Sequence, residues 1–378
     1  MGIRWQTYEV QSDFAVINST NNRAYCLATQ SQAKMMSHTA AFYKGDKRFS
    51  IEPMETTTPA AGEVQIDVAY CGICGTDLHV YLGHMDERIG HHRVIGHEMS
   101  GTVRSVGDDV KNLSTGDRVV VRPLDACGEC PACKRGYSHV CQKLKFLGLD
   151  THGAFQQQWT VPAHTVHKLP NNLSLDSAAL IEPAAVAVHD VRRGRVVAGE
   201  DVLVIGGGPI GMLIAMVAKS VGANVTVSEI NTHRLAMANE MGITTINPSE
   251  KDATDTLLKA TGNKGIDVVF EVSGTQPGVD LMTSAVATRG RIVMVAIHAT
   301  KPTVDLFQFF WKEIEMIGAR VYEPEDYDEA IRMVAAEEID SKRLITSVQK
   351  LSDIQSAFEE LAQSPTAMKT LIQCSDTE

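Results

Sequence analysis

Four cysteines, Cys127, Cys130, Cys133 and Cys141, crowd into one short loop. Zinc takes tetrahedral thiolate ligands at ~2.3 Å, and this spacing lets one loop wrap one ion. With all four positions filled by protein, none is left for a substrate, so the expectation is a structural zinc. An iron–sulfur cluster, disulfides and free buried thiols are the competing readings. A second set is scattered: Cys74 in CGICGTDLH, His97 and Glu98 in GHE, and Glu182 before Pro183. Cys, His and Glu together hold a zinc with mixed ligands and leave one position open, as catalysis needs. Taken singly, a His-Glu pair reads as well as a surface feature, and Cys71 reads as a packed thiol.

A third motif is Gly206-x-Gly208-x-x-Gly211, with Pro209 and Ile210 inside it. It follows the apolar run 202–205 and opens a helical pattern. Such glycines let the backbone approach a pyrophosphate at a helix N-terminus. Glu229 closes the next apolar run. A carboxylate there accepts from both ribose hydroxyls and repels a 2′-phosphate, which favours NAD over NADP. Arg234 lies close enough in sequence to serve a phosphate.

These motifs need elements to hold them. From Thr39 to about residue 170 short strands alternate with Gly, Asp and Pro turns, the pattern of a β-rich, barrel-like domain. TAAFYKGDKRFSIEPM reads as two strands about a turn, and VQIDVAYCGICGTD, SGTVRSVGDDV and DRVVVRPL continue the style. After Pro183 the period changes to apolar strands alternating with helices: DVLVIGGGPIG, MLIAMVAKSVG, NVTVSE, a helix near 232–241, DVVFEV, a helix near 278–287, and RIVMVAI. That alternation is the signature of a doubly wound parallel sheet. Residues 270–274 and 295–297, including Val295 and Ile297, end strands and are expected on the nicotinamide side. Two more helices, in YDEAIRMVAAEE and LSDIQSAFEELAQ, precede a last strand, KTLIQC. The fold class is therefore α/β, read as a catalytic domain over 37–184 and 325–378 around a dinucleotide domain over 185–324. Residues 1–36 have no clear period and read as a start codon placed too early or a disordered extension.

The 378 residues are 44% hydrophobic and 21% charged, with a formal net charge of -11. That acidity argues against nucleic acid or an anionic membrane surface as partner. No apolar run is long enough to span a bilayer. Cysteines in metal-type spacings suit a reducing, cytoplasmic setting.

The order GICGTDLH, GHE, cysteine loop, IEP and GGGPIG resembles the medium-chain zinc dehydrogenases over residues 38–374. The resemblance implies a GroES-like catalytic domain, a Rossmann NAD domain, two zinc ions per chain, and a homodimer or homotetramer. It implies Cys74 and His97 as catalytic-zinc ligands, with Glu98 or Glu182 as the third and the other close by. It implies that Asp77 bonds the far nitrogen of His97. Thr76 and His79 match the family's proton-relay positions. Glu182, where the liver-type branch carries cysteine, points to the sorbitol, butanediol and threonine branches. The implied reaction is reversible oxidation of a secondary alcohol, in a polyol or vicinal diol, to a ketone. Threonine 3-dehydrogenase or butanediol chemistry is the alternative enzyme reading. A zinc- and NAD-binding protein without catalysis, or a zinc-finger interaction protein, is the alternative from another class. Tyr81, Tyr322, His152 and Trp159 are substrate candidates. Arg320 stands one place earlier than in sorbitol dehydrogenases, where an arginine adjoins the tyrosine; a one-residue slip on a strand turns a side chain to the other face.

Overall fold

A computed structural model describes residues 37–250, 253–364 and 366–375. The proposed extension 1–36 lies outside them. Two large sheets form the frame. The first has six parallel strands in the order Thr244–Ile246, Asn224–Ser228, Asp201–Ile205, Ile266–Glu271, Val286–Met294, Glu315–Gly318. Its central strand, DVLVI, is buried from Val202 to Ile205, as a strand covered by helices on both faces must be. Helices cross over between successive strands, so the doubly wound sheet is as expected.

The second sheet has seven strands. Ile345–Lys350, Lys369–Gln373, Glu63–Gly72, Glu98–Val106, Arg118–Val121 and Val166–Lys168 lie side by side, and Gln158–Pro162 also pairs with Glu63–Gly72. All pairs are antiparallel except Ile345–Lys350 with Lys369–Gln373. The C-terminal strand thus closes onto an N-terminal one. Its register sets Leu371 opposite Gly72, and Gly72 opposite Glu98. A Cβ on Gly72 would stand 2.4 Å from a Glu98 carboxylate oxygen. Only glycine lets these strands carry that side chain between them.

Helix Ile181–Arg193 is buried at ten of its positions, from Ile181 to Val191. It packs against helices Pro209–Ser220 and Pro324–Ala335. Both partners start with proline in the first turn, where the missing N–H costs nothing. The reading of the helices needs small corrections. The helix expected near 278–287 is Gln276–Ala285, because Thr275 caps it and accepts from the Gly278 amide. The strand read in RIVMVAI starts at Val286 and stops at Met294, so Val295 and Ile297 lie beyond it. Glu229 likewise sits just past strand Asn224–Ser228. Helix Leu306–Lys312 had no sequence expectation.

Candidate functional site

Cys74 is the N-cap of helix Gly75–Tyr81, and the Asp77 carboxylate accepts from the Cys74 amide at 2.9 Å. This capping box fixes where the thiol stands relative to the helix. Strand Glu98–Val106 opens directly after His97 and brings His97 and Glu98 to the same place. Ligand-type atoms of Cys74, His97 and Glu98 all lie within 4.8 Å of one another. His97 and Glu98 are buried, and Cys74 is half-buried.

His97 Nδ1 faces Asp77 Oδ1 at 3.7 Å. That is beyond hydrogen-bond range, and both atoms are buried without a hydrogen-bond partner among the described residues. Burial opposes charge on His97, but Asp77, Cys74 and Glu182 outweigh it and hold its pKa well above the usual value. Burial pushes the Asp77 carboxyl up. An electron-rich pocket of this kind, with orphaned polar atoms, fits a cation such as zinc.

The two glutamates differ. Both Glu98 oxygens accept from the Lys369 ammonium, at 2.8 and 2.6 Å, and both side chains are almost wholly buried. Glu182 stands in the first turn of its helix, and Oε1 accepts from the Tyr322 hydroxyl at 2.7 Å. Burial, with the charge of Glu98 adding, pushes the Glu182 carboxyl up to about 7. No spacing in the sequence points to Lys369.

Thr76 and His79 lie one turn apart on helix Gly75–Tyr81, Thr76 half-buried and His79 exposed. His79 Nδ1 lies 3.2 Å from His84 Nδ1. The other substrate candidates divide. Tyr81 packs on Phe49 and Phe358 in the core. Trp159 is buried and donates to the His152 carbonyl, while His152 Nδ1 faces the Val94 amide. Only Tyr322 reaches the Glu182 side of the pocket. After strand Glu315–Gly318 the chain turns through a left-handed Val321, φ 48°, a strained conformation for a β-branched residue. That turn, rather than strand alternation, separates Tyr322 from Arg320, which donates to the His139 carbonyl.

The cysteine loop forms a separate lobe. Successive Sγ atoms of Cys133, Cys130, Cys141 and Cys127 are 3.5, 3.8 and 3.4 Å apart. These are free thiols, each separation well beyond the ~2.05 Å of a disulfide bond. Ligands ~2.3 Å from a tetrahedral ion stand ~3.8 Å apart, so the cage has the size zinc needs. Amides of Cys133 and Gln142 pull the Cys130 thiol down to about 6.

At the carboxyl ends of the parallel strands a cavity of 610 Å³ is lined by Gly206, Gly208, Glu229, Arg234, Val272 and Ser273, among others. Gly211 lets helix Pro209–Ser220 sit tight on the sheet: a Cβ there would meet the Gly206 carbonyl at 1.8 Å. Glu229 is held by amides of Gly207, Ile230 and Asn231 at 2.7 to 2.9 Å, with Arg234 at 3.7 Å. Pro209 and Ile210 form the first helical turn. Val295 and Ile297 are not in the cavity wall, and Ile297 is 92% exposed.

Residues 60–171 match the alcohol dehydrogenase GroES-like domain, and residues 209–336 match the zinc-binding dehydrogenase domain. A 2-dehydro-3-deoxy-L-galactonate 5-dehydrogenase of Pseudoalteromonas atlantica is 54% identical over 335 residues, 89% of this chain and 98% of that protein. An L-threonine 3-dehydrogenase of Pyrococcus furiosus is 40% identical over 237 residues, 62% of this chain and 68% of that one. The crystal structure of 2R,3R-butanediol dehydrogenase from Bacillus subtilis superposes with a TM-score of 0.82 at 31% identity, covering 89% of this chain and 99% of that one.

Proposed function

The chain belongs to the zinc-dependent medium-chain alcohol dehydrogenase family, and from that premise we propose that this NAD-linked polyol dehydrogenase oxidises the C5 hydroxyl of a 2-dehydro-3-deoxy sugar acid to a ketone. The observation that carries the substrate is the 54% identity to a 5-dehydrogenase of that class, spread over 98% of its length. The threonine relative matches over only 62% of this chain, and the butanediol enzyme is 31% identical.

Zinc, when bound, supplies a Lewis acid that lowers the pKa of a hydroxyl, and NAD supplies the hydride acceptor. Cys74, His97 and either Glu98 or Glu182 would hold the metal. Asp77 would orient the His97 ring once it closes from 3.7 Å to hydrogen-bond range. Thr76 would accept the substrate hydroxyl's proton as it gives up its own toward His79, which would pass it outward; the exposure of His79 and its contact with His84 support an exit to water. Cys127, Cys130, Cys133 and Cys141 would hold the structural ion. Gly206, Gly208, Pro209, Ile210 and Gly211 form the pyrophosphate turn, and Glu229 takes the ribose hydroxyls. Val295 and Ile297, just past strand Val286–Met294 and outside the cavity wall, would border the nicotinamide end.

The domain division at about 184 and 325 is supported by the sheets: strands 345–350 and 369–373 join strand Glu63–Gly72, while the parallel sheet uses 201–318. Seven described free cysteines support a reducing, cytoplasmic setting, and no described helix is long and apolar enough to cross a membrane. Two copies pair through the sheet edge at Glu315–Gly318 and the exposed apolar helix beside it.

Steady-state NAD reduction tests the reading. 2-Dehydro-3-deoxy-L-galactonate should exceed L-threonine, sorbitol and R,R-butanediol in kcat/KM by about 100-fold. NADP should replace NAD poorly, and Glu229→Ala should narrow that gap. Equal or better rates with threonine or butanediol would overturn the substrate, and an unchanged cofactor preference would overturn the role of Glu229.

A further inference from the structure

Away from the reaction centre, one cluster joins three parts of the chain. His139 comes from the cysteine lobe and His189 from helix Ile181–Arg193. Glu323 is the N-cap of helix Pro324–Ala335, and Asp326 lies in its first turn. Ligand-type atoms of His189, Glu323 and Asp326 lie within 4.8 Å of one another. His139 Nδ1 stands 3.6 Å from Glu323 Oε1, and its ring meets the His189 ring edge-on at 5.1 Å. His139, His189 and Asp326 are 9%, 1% and 1% exposed. Yet His139 Nδ1 has no hydrogen-bond partner among the described residues, a costly state for a buried polar atom. Burial, reinforced by His189, keeps His139 neutral by lowering its pKa. The next helix residue, Asp190, is also buried with both carboxylate oxygens unpartnered. His139, His189 and Glu323 line an 880 Å³ cleft that extends to strand Glu315–Gly318, so in a single chain an ion has a route in.

We propose that His139, His189, Glu323 and Asp326 form a third metal site, selective for a divalent transition ion of the zinc class. Two imidazoles and two carboxylates are the donors such an ion takes at ~2.0–2.2 Å. Tetrahedral ligands at that radius stand ~3.4 Å apart. The His139–Glu323 separation of 3.6 Å already fits. His189 Nδ1 and Asp326 Oδ2, at 2.7 Å, must open by about 0.7 Å to match. Arg192 supplies the positive charge meanwhile: it pairs with Glu323, and its Nε lies 2.8 Å from Asp326. Its side chain is 47% exposed, so it can leave as an ion enters. Asp326 also accepts from the Glu323 amide at 2.8 Å, which holds it in place in either state. The ion would clamp the cysteine lobe to two helices of the body, independently of the ion inside the lobe.

The test is metal content of the full chain after equilibration with excess zinc chloride and desalting, read by mass spectrometry. His139→Ala and Glu323→Gln should each lose one zinc per chain relative to the unmodified protein, with dehydrogenase turnover kept. Read as a difference, this does not depend on what the other sites hold or on the identity of the substrate. Gln retains the helix-cap acceptor, so loss of zinc in Glu323→Gln is not loss of fold. Arg192→Gln removes the competing cation and should fill the third site at about tenfold lower free zinc. A purely structural ion-pair network gives the opposite: zinc content is equal in all four proteins, and Arg192→Gln only lowers stability. That result overturns the proposal.

Discussion

Lys369 and Glu98 are 271 positions apart in sequence and 2.6 Å apart in space. The ammonium meets both carboxylate oxygens inside the protein, and Glu98 holds the Lys369 pKa up against the opposing effect of burial. Removing one partner of a buried pair leaves the other charge unpaired, at about 3–5 kcal/mol. Lys369→Met should therefore lower the denaturation midpoint sharply. Glu98→Gln in the same background should restore a large part, because the stranded charge goes with it. Strictly additive losses in urea unfolding would mean that the two groups do not depend on each other. This pair was illegible in the sequence for a simple reason. Cys74 and Asp77 are three residues apart, and the lobe cysteines are nearly as close, so spacing alone betrays them. Lys369 reaches Glu98 only because the last strand adds to the sheet, and Tyr322 reaches Glu182 across 140 positions only because of the turn at Val321.

At the scale of elements, hydrophobic period located most strands and helices but not their ends. RIVMVAI looks like one apolar run, yet the ladder ends at Met294, since nothing in the apolar pattern says where a neighbour stops. Helix Leu306–Lys312 was missed because apolar residues occupy all its faces, Phe309 packing inward while Leu306, Phe307, Phe310 and Trp311 are exposed, so no helical period shows. The cysteine lobe is the reverse case, obvious in sequence and almost without regular structure. It holds a four-residue helix and a three-residue 3-10 turn, with Cys130, His139 and Cys141 as its buried residues. Such a segment has no apolar core to hold it, so the metal must supply the folding energy. Cys133→Ser, or a strong chelator, should raise amide hydrogen exchange across 127–141 by at least about 100-fold. Exchange in strand Asp201–Ile205 should stay slow. Unchanged protection in the lobe would show that packing alone maintains it.

The described residues of the whole molecule leave an apolar face uncovered. Leu306, Phe307, Phe310 and Trp311 are 60 to 77% exposed, and Met316 on the adjoining edge strand is 49% exposed. Among the described residues, strand Glu315–Gly318 pairs on one side only, with Val286–Met294. An unpaired strand edge beside clustered aromatics is a liability in a lone chain. A second copy related by a two-fold axis resolves both at once: the two edges pair, and each apolar helix packs on its twin. Such an interface needs about 1,600 Å² of buried surface to be stable. Trp311→Asp with Met316→Lys places charge at its centre and should halve the mass seen in sedimentation at micromolar concentration if the assembly is a dimer. A tetramer built from such pairs should lose this contact and keep its other one. Zinc at the catalytic and cysteine-lobe sites should not change, because none of their ligands lies on this strand or helix. If the unmodified protein sediments as a single chain at about 10 µM, well above the range expected of a stable dimer, the edge does not pair and the exposed face serves some other contact.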